Sequence, residues 1–140
     1  MAILRNYRRA DCYAVKAILQ EADLFDEVWD SEENLAGMIK RNPDSIILAE
    51  DHGSVVGNLY IIPHGPDVAY LFRLVVKSTF RKHGIGTQLL KRAEEIVKKR
   101  GAKEIGFFVY ANNQELQHFY TKRKYQVTKE PFIYLWKELK

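Results

Sequence analysis

The sequence predicts an α+β fold in which a mostly antiparallel mixed sheet of six to seven strands is flanked by about four helices. Three observations support this fold class. Short β-rich segments separated by tight turns fill the middle of the chain, and amphipathic helical patterns lie on either side of them. One segment near residue 105 is apolar on both faces, which is typical of a strand covered twice. A chain of 140 residues can bury a core without disulfides, so we expect a single domain over residues 1–140.

The chain begins with a short edge strand, predicted over residues 2–7. Asp11 can cap the helix that follows, over about residues 12–22, because a side-chain oxygen at this position accepts from the first free amides. Ser31 caps a second short helix, which the turn at Pro43 closes.

The central part of the chain predicts a hairpin, a long strand and a long helix. Residues 45–50 and 54–62 pair across an Asp-His-Gly turn, and residues 68–76 form the next strand. The apolar residues of 85–100 recur at helical spacing, and Gly101 stands where a helix commonly ends.

The last part of the chain predicts a central strand over residues 105–110 and a short helix over residues 114–122. Residues 125–128 and 132–136 then predict an antiparallel pair of strands that closes the fold.

The charge is divided unevenly along the chain. Residues 1–70 carry 6 Lys and Arg against 12 Asp and Glu, a net charge of −6, while residues 71–140 carry 16 against 6, a net charge of +10. The formal total of +4 hides this division. We therefore expect the two halves to face partners of opposite charge.

Composition excludes several classes of protein. A hydrophobic fraction of 46% excludes a disordered chain, and the single cysteine, Cys12, excludes an internal disulfide framework or a multi-cysteine zinc site. The four histidines show no paired ligand spacing, so no metal is expected. No apolar run approaches the roughly 18 residues that span a bilayer, and the N-terminus lacks a signal-peptide core. We expect a cytoplasmic protein without a membrane partner.

Residues 74–90, LVVKSTFRKHGIGTQLL, carry the most functional information. A buried strand ends, a basic loop turns, and an apolar-striped helix begins. A helix N-terminus presents unpaired N–H groups and the positive end of its dipole, and Gly84 and Gly86 let a ligand approach the backbone closely. With Arg81 and Lys82 these features predict a phosphate or pyrophosphate site. We call residues 77–86 the cradle loop.

Two common phosphate-binding motifs do not fit the cradle loop. There is no GxxxxGK[ST] sequence, and a dinucleotide fingerprint would need glycine at position 89, which is leucine, and an acidic residue near position 106. An ordinary strand-to-helix turn with solvated basic residues remains the alternative.

The R-x-x-G-x-G pattern from Arg81 to Gly86 resembles the [QR]-x-x-G-x-[GA] signature of the GNAT superfamily of N-acetyltransferases. The element order is also similar to that of the family over essentially the whole chain. A second family stretch, N-x-x-[hydrophobic]-x-x-F-Y, is matched at the expected distance by Asn113, Leu116, Phe119 and Tyr120.

The resemblance implies acetyl-CoA as co-substrate and a sheet that splays between strands 4 and 5. The pyrophosphate would lie on backbone amides of the cradle loop and the following helix, and the pantetheine arm would pair with strand 4. The implied cofactor-binding residues are Leu74, Val76, Arg81, Lys82, His83, Gly84, Ile85, Gly86, Thr87, Asn113 and Tyr120.

The implied reaction is direct acetyl transfer to a primary amine of a small molecule, a peptide or a protein. In this resemblance the backbone of Val76 is the oxyanion donor and Tyr120 is the general acid that protonates the leaving thiolate. The alternative for Tyr120 is a packing role. Tyr70 stands where histone-type members have a catalytic glutamate, so the base stays open among ordered water, Glu50, Asp67, His64 and His118.

The acceptor pocket implied by the resemblance lies beside residues 21–30, which we call the acidic connection. Its carboxylates and its Leu24, Phe25 and Trp29 suit a cationic acceptor, but the aromatic residues could equally plug the core. The last hairpin would supply the other wall through Pro131, Phe132 and Tyr134.

Two other functions stay open at this stage. A non-catalytic CoA-binding regulatory domain would keep the cradle loop and lack the chemistry. A basic nucleic-acid-binding module is favoured by the +10 half, but glutamates interrupt its basic clusters and no recognition signature is present. A homodimer is a further expectation, because dimers are common in the family.

Overall fold

The structure, a computed structural model, describes residues 2–139, so Met1 and Lys140, the ends of the predicted domain, lie outside it. The chain divides into two compact units, Met1–Phe107 and Phe108–Lys140. The elements within the described residues are β1 (Ile3–Asn6), α1 (Cys12–Glu21), α2 (Glu32–Arg41), β2 (Ile46–Asp51), β3 (Ser54–His64), β4 (Val68–Val76), α3 (Ile85–Lys99), β5 (Glu104–Gly106) and α4 (Gln114–Thr121).

The strands form one mixed sheet in the order β1-β2-β3-β4-β5. Every neighbouring pair is antiparallel except β4 and β5, which run parallel over three residue pairs. This pairing ends at Tyr70 opposite Gly106, while β4 continues to Val76. The α+β fold class and the parting of strands 4 and 5 are therefore confirmed.

The predicted count of six to seven strands is wrong, because residues 2–139 contain five. The strand predicted over 105–110 is reduced to Glu104–Gly106, and residues 125–128 and 132–136 form no strand. An alternating apolar pattern expresses only a preference, whereas a strand requires a hydrogen-bonded neighbour. The side chains of 132–136 accordingly stay between 74% and 86% exposed.

The sheet of the first unit is covered on both faces. Ile46 and Leu48 of β2 pack in one cluster with the buried residues of α1 and α2. Ile47 and Ala49 are equally buried but point the other way, because successive side chains of a strand alternate between faces. That second face packs against α3, whose buried residues are Ile85, Leu89, Leu90, Ala93 and Val97.

Most local signals are confirmed, with one exception. The Ser31 hydroxyl accepts the Asn34 amide at 3.1 Å, and Gly101 has a φ of +94° at the end of α3. Asp11, predicted to cap α1, makes no such cap bond. Its carboxylate instead accepts two bonds of 2.9 Å from Arg5 of β1, whose guanidinium offers a bidentate partner.

No helix among residues 2–139 is long and apolar enough to cross a membrane.

Gly57 lets α3 approach the sheet closely. A Cβ at this position would lie 3.2 Å from the Leu89 Cδ1 and 3.2 Å from the Val75 carbonyl oxygen. Distances this short force a neighbour to move, and one of these neighbours is backbone. The glycine therefore fixes the distance between the start of α3 and the end of β4.

We expect Gly57→Ala to lower the free energy of unfolding by about 1–3 kcal/mol, because the methyl group overpacks this contact. Gly37→Ala is the matched control, since a Cβ there meets only the flexible end of Arg41 at 3.4 Å and alanine favours the helix. Denaturant unfolding measures both. Equal stability of the two variants would contradict the close approach.

Candidate functional site

The central feature of the site is an extra residue in β4. Tyr60 of β3 lies opposite Phe72, and Asn58 lies opposite Val75, so two steps along β3 match three along β4. Arg73, inside this bulge, has a φ of +56°. A β-bulge of this kind leaves a residue unpaired and changes which way the following peptide groups point.

Before the bulge, hydrogen bonds at the start of β4 fix the direction in which its peptide groups point. The Asp67 carbonyl accepts the amides of Lys103 and Glu104 at 2.7 and 3.0 Å, so it faces β5. Peptide groups of a regular strand alternate between its two sides. If β4 were regular, the peptide groups of every second residue after Asp67 would point towards β5. Val76 lies an odd number of residues after Asp67, so its peptide groups would point towards β3.

After the bulge, the orientation is reversed. The Lys77 amide donates to the Val56 carbonyl on β3 at 2.8 Å. By alternation, the N–H and C=O of Val76 point away from β3, to the side on which pairing with β5 has ended at Gly106. Leu74 shares this orientation. The bulge therefore frees the edge on which the sequence predicted an oxyanion donor and a pantetheine partner.

Arg81 folds back onto the end of β4. Its Nε donates to the Val76 carbonyl oxygen at 3.1 Å, although the sequence predicted a role for Arg81 in attracting phosphate. The guanidinium is exposed, so its charge still adds to the field of the cradle loop. The contact places this charge beside the Val76 peptide.

The cradle loop has the backbone expected of an anion site. Lys82 and Gly84 both have left-handed φ values, of +66° and +80°, and Gly84 is the N-cap of α3. The first helical bond runs from the Gln88 amide to the Gly84 carbonyl, so the amides of Ile85 and Gly86 belong to the first turn, where helix geometry supplies no backbone acceptor. Beyond Gly84 and its two chain neighbours, no described atom lies within 4 Å of a Cβ built on Gly84, which leaves room for a ligand.

A surface cavity of about 610 Å³ borders the cradle loop. His83 and Ile85, both predicted cofactor residues, line it together with Ala2, Asp51, Thr79, Phe80 and Gln88. The predicted residues from Leu74 to Thr87 are thus brought together at the end of β4 and the start of α3.

The sequence reasoning missed a contact made by Glu21, the last residue of α1. Its Oε1 accepts the Ser78 amide at 2.7 Å, and this hydrogen bond lowers the pKa of the exposed carboxylate, with help from the charges of Arg81 and Lys77. The bond ties the start of the acidic connection to the cradle loop. The only sequence signal was an acidic residue at a helix end.

Asn113 and Tyr120 lie in the second unit, at the two ends of α4. The Asn113 Oδ1 accepts the Leu116 amide at 3.0 Å and so caps the helix. Tyr120 is 7% exposed and packs edge-on against Phe119 and Tyr125, with ring centroids 5.2 and 5.6 Å away. Burial raises the pKa of the Tyr120 phenol further above neutral pH, so the phenol carries its proton there, as an ordinary tyrosine also does.

The structure does not single out a catalytic base. Glu50 is paired with Arg5 at 3.3 Å, and the His64 ring lies 5.6 Å from the Tyr70 ring, at the end of the β3–β4 ladder far from Val76. Asp67 precedes the same far end, and His118 lies in the second unit. Within residues 2–139 no three His, Cys, Asp or Glu side chains group as metal ligands.

The aromatic residues of the acidic connection are packing residues. Trp29 lies edge-on to Phe72 and Tyr60, with ring centroids 5.2 and 6.1 Å away, and Phe25 packs against the core cluster. This favours the core-plug alternative for both. The other wall of the acceptor pocket was predicted in a hairpin that contains Pro131, Phe132 and Tyr134, but residues 131–134 form no hairpin.

Part of the negative charge of the acidic connection is used internally. Asp26 accepts the amides of Val28 and Trp29 at 2.9 and 2.7 Å, which lowers the pKa of its carboxyl, and Asp30 is paired inside the protein. Asp23 and Glu27 remain exposed. The surface charge is therefore smaller than the sequence count suggests.

Comparison with known proteins agrees with this geometry. The model of the acetyltransferase (GNAT) family matches residues 4–125. An acetyltransferase of Pectobacterium atrosepticum is 27% identical over 123 residues, which cover 88% of this chain and 86% of that protein. An uncharacterized N-acetyltransferase of Chlorobaculum tepidum is 28% identical over 138 residues, covering 86% and 81%.

The crystal structure of the PaiA N-acetyltransferase from Thermoplasma acidophilum in complex with coenzyme A shares the fold, with a TM-score of 0.82 and 22% identity over 94% of this chain and 93% of that one. The family model itself extends from β1 to the residue Tyr125 beyond α4. Because it spans most of the chain, this protein belongs to the acetyltransferase (GNAT) family and is an acyltransferase.

Proposed function

We propose that the protein moves an acetyl group from acetyl-CoA to a primary amine by direct transfer. The observation that carries this proposal is the juxtaposition, within the first unit, of the outward-facing Val76 amide and the N-terminus of α3. The Val76 amide is suited to stabilise a developing oxyanion, and the N-terminus of α3 is suited to bind a pyrophosphate.

Acetyl-CoA binding is supported by the backbone of the cradle loop. Left-handed residues at positions 82 and 84 and the first-turn amides of α3 present N–H groups to an anion, and Arg81, Lys82 and Lys77 add positive charge. The free edge of β4 at Leu74 and Val76 offers the amides of the pantetheine arm a strand-like partner. The PaiA structure with the same fold holds coenzyme A.

The chemistry follows from the groups at the end of β4. A neutral amine attacks the thioester carbonyl, a C–N bond forms, and the C–S bond breaks as the thiolate leaves. The Val76 amide at the end of β4 stabilises the oxyanion. The family resemblance assigns to Tyr120 the proton that the leaving thiolate accepts. Only about one lysine-type amine in a thousand or fewer is neutral at pH 7, so the acceptor must lose one proton to solvent before it attacks. A second proton leaves its nitrogen after the C–N bond forms, and this balances the proton that the thiolate accepts.

A cationic acceptor fits the exposed carboxylates of Asp23 and Glu27. Charges at the mouth of a site raise the local concentration of a partner of opposite sign, with a strong dependence on salt. A small polyamine, a lysine side chain or a peptide N-terminus has this chemistry.

The direct test is a thiol-release assay with acetyl-CoA and a panel of amines at low and high salt. We expect release of CoA with at least one cationic amine, and a KM that rises with salt because the attraction is screened. Binding of acetyl-CoA without any acetylated amine, peptide or protein would favour the regulatory CoA-binding function. Absence of acetyl-CoA binding would refute both.

Gly84→Glu should abolish CoA binding, because its side chain fills the space over the α3 N-terminus and opposes the phosphate charges. Gly53→Glu is the matched control: Gly53 has the same φ of +80° and the same open surroundings, but it lies in the β2–β3 turn. Titration calorimetry with CoA measures both variants. Retained affinity in Gly84→Glu would refute the cradle.

Tyr120→Phe should lower kcat at least about a hundredfold, the usual contribution of a general acid, with little change in acetyl-CoA affinity. Because the donor must be protonated and burial raises its pKa, the wild-type rate should show no alkaline decline below about pH 10. Steady-state kinetics across pH measures both effects. An unchanged kcat in the variant would leave Tyr120 with a packing role.

A further inference from the structure

We propose that Asp30 is a positioning residue for acetyl transfer: through Arg73 it holds the bulge in β4 that turns the Val76 amide away from β3. The inference rests on the proposed function for its effect on catalysis. Its structural part concerns only residues of the first unit, and it adds a role for a buried ion pair that the reaction itself does not use.

The Asp30 carboxylate is completely buried and fully engaged. Its Oδ1 accepts the Tyr60 hydroxyl at 2.9 Å and the Arg73 Nε at 3.3 Å, and its Oδ2 accepts the Arg73 Nη2 at 3.1 Å. The Asp26 amide also donates to Oδ2, at 2.8 Å. Charge-assisted hydrogen bonds to a buried carboxylate fix the orientation of the side chains that donate them. Removal of the Asp30 charge would leave the Arg73 guanidinium without a compensating negative charge.

Arg73 occupies the strained position of the bulge. A side chain at a φ of +56° costs about 1–2 kcal/mol relative to an ordinary strand conformation, so other contacts must hold it there. The Arg73 carbonyl accepts the buried Asn58 Nδ2 at 2.7 Å, and its guanidinium lies over the Trp29 ring at 4.7 Å. Asp30 supplies the ionic part of this restraint.

The direction of the Val76 amide depends on this restraint. Beyond the bulge, the direction in which each peptide group points is set by the one extra residue between Phe72 and Val75. If the bulge relaxes or moves along the strand, the Val76 N–H no longer points to the free edge of β4. Asp30 also belongs to the acidic connection, so the same pair fixes the acceptor-side segment and the oxyanion donor relative to each other.

The test compares Asp30→Asn, Arg73→Ala and Arg73→Gly. Asp30→Asn should lower kcat by about tenfold or more, since small misplacements of a catalytic group have such effects, with acetyl-CoA affinity unchanged. Arg73→Gly should keep more activity than Arg73→Ala, because glycine adopts a positive φ without strain. If the guanidinium touched substrate instead, both Arg73 variants would lose activity equally, which would overturn the proposal.

Asp11→Asn is the matched control for general destabilisation. Asp11 forms a comparable part-buried pair with Arg5, at 2.9 Å, away from the bulge. We expect this variant to lower the melting temperature and leave kcat unchanged. An equal loss of kcat in Asp11→Asn and Asp30→Asn would mean that lost stability, not positioning, explains the effect.

A second measurement needs no acceptor. In amide NMR spectra, Asp30→Asn should shift the Val75 and Val76 resonances strongly, and Asp11→Asn should not. Unchanged resonances would overturn the inference, whereas shifted resonances in a protein that acetylates no amine would refute only the proposed function. Should Asp30→Asn fail to fold, the two Arg73 variants still decide between the outcomes.

Discussion

The β4 bulge at Arg73 is the constraint on which the rest of the site depends. Strand geometry allows a peptide group only two directions, so one extra residue between Phe72 and Val75 reverses the direction of everything that follows. With it, Val76 presents its N–H at the strand edge that β5 leaves free, and its carbonyl on the same side accepts the Arg81 Nε. Without it, both groups would point towards β3. The left-handed backbone at Arg73 is unfavourable by itself and persists because buried side chains hold it.

The helix N-terminus is fixed to this strand end by close packing. Leu89 of α3 lies against Gly57, and Gly57 pairs with Val76, so the cradle loop connects two ends that the core holds at a set distance. Glu21 adds a third tie, through the Ser78 amide. Both groups that the proposed reaction needs in the first unit therefore sit on rigid elements, and preorganised donors lose little free energy to rearrangement when charge develops.

The structure shows how the acidic residues of the first half and the basic residues of the second half are used. Many of the acidic residues in the first half are structural partners: Asp30 pairs with Arg73, Asp11 and Glu50 pair with Arg5, and Asp44 pairs with Arg100. Arg81 and Lys82 of the cradle loop remain exposed. The excess of positive charge thus faces the site proposed for phosphates, while only a few carboxylates, such as Asp23 and Glu27, stay available to a cationic acceptor.

The sequence by itself determined the fold class, the cradle loop and the family resemblance, because these depend on local rules. Helical spacing, a glycine at an N-cap and the R-x-x-G-x-G pattern act within a few residues. Tertiary structure alone decided the bulge, the Asp30–Arg73 pair across 43 positions and the Glu21–Ser78 bond across 57. It also decided that residues 132–136 form no strand. A pattern within one segment records its preference, but a buried charge or a strand is completed by a partner far along the chain, and only the folded arrangement determines which partner that is.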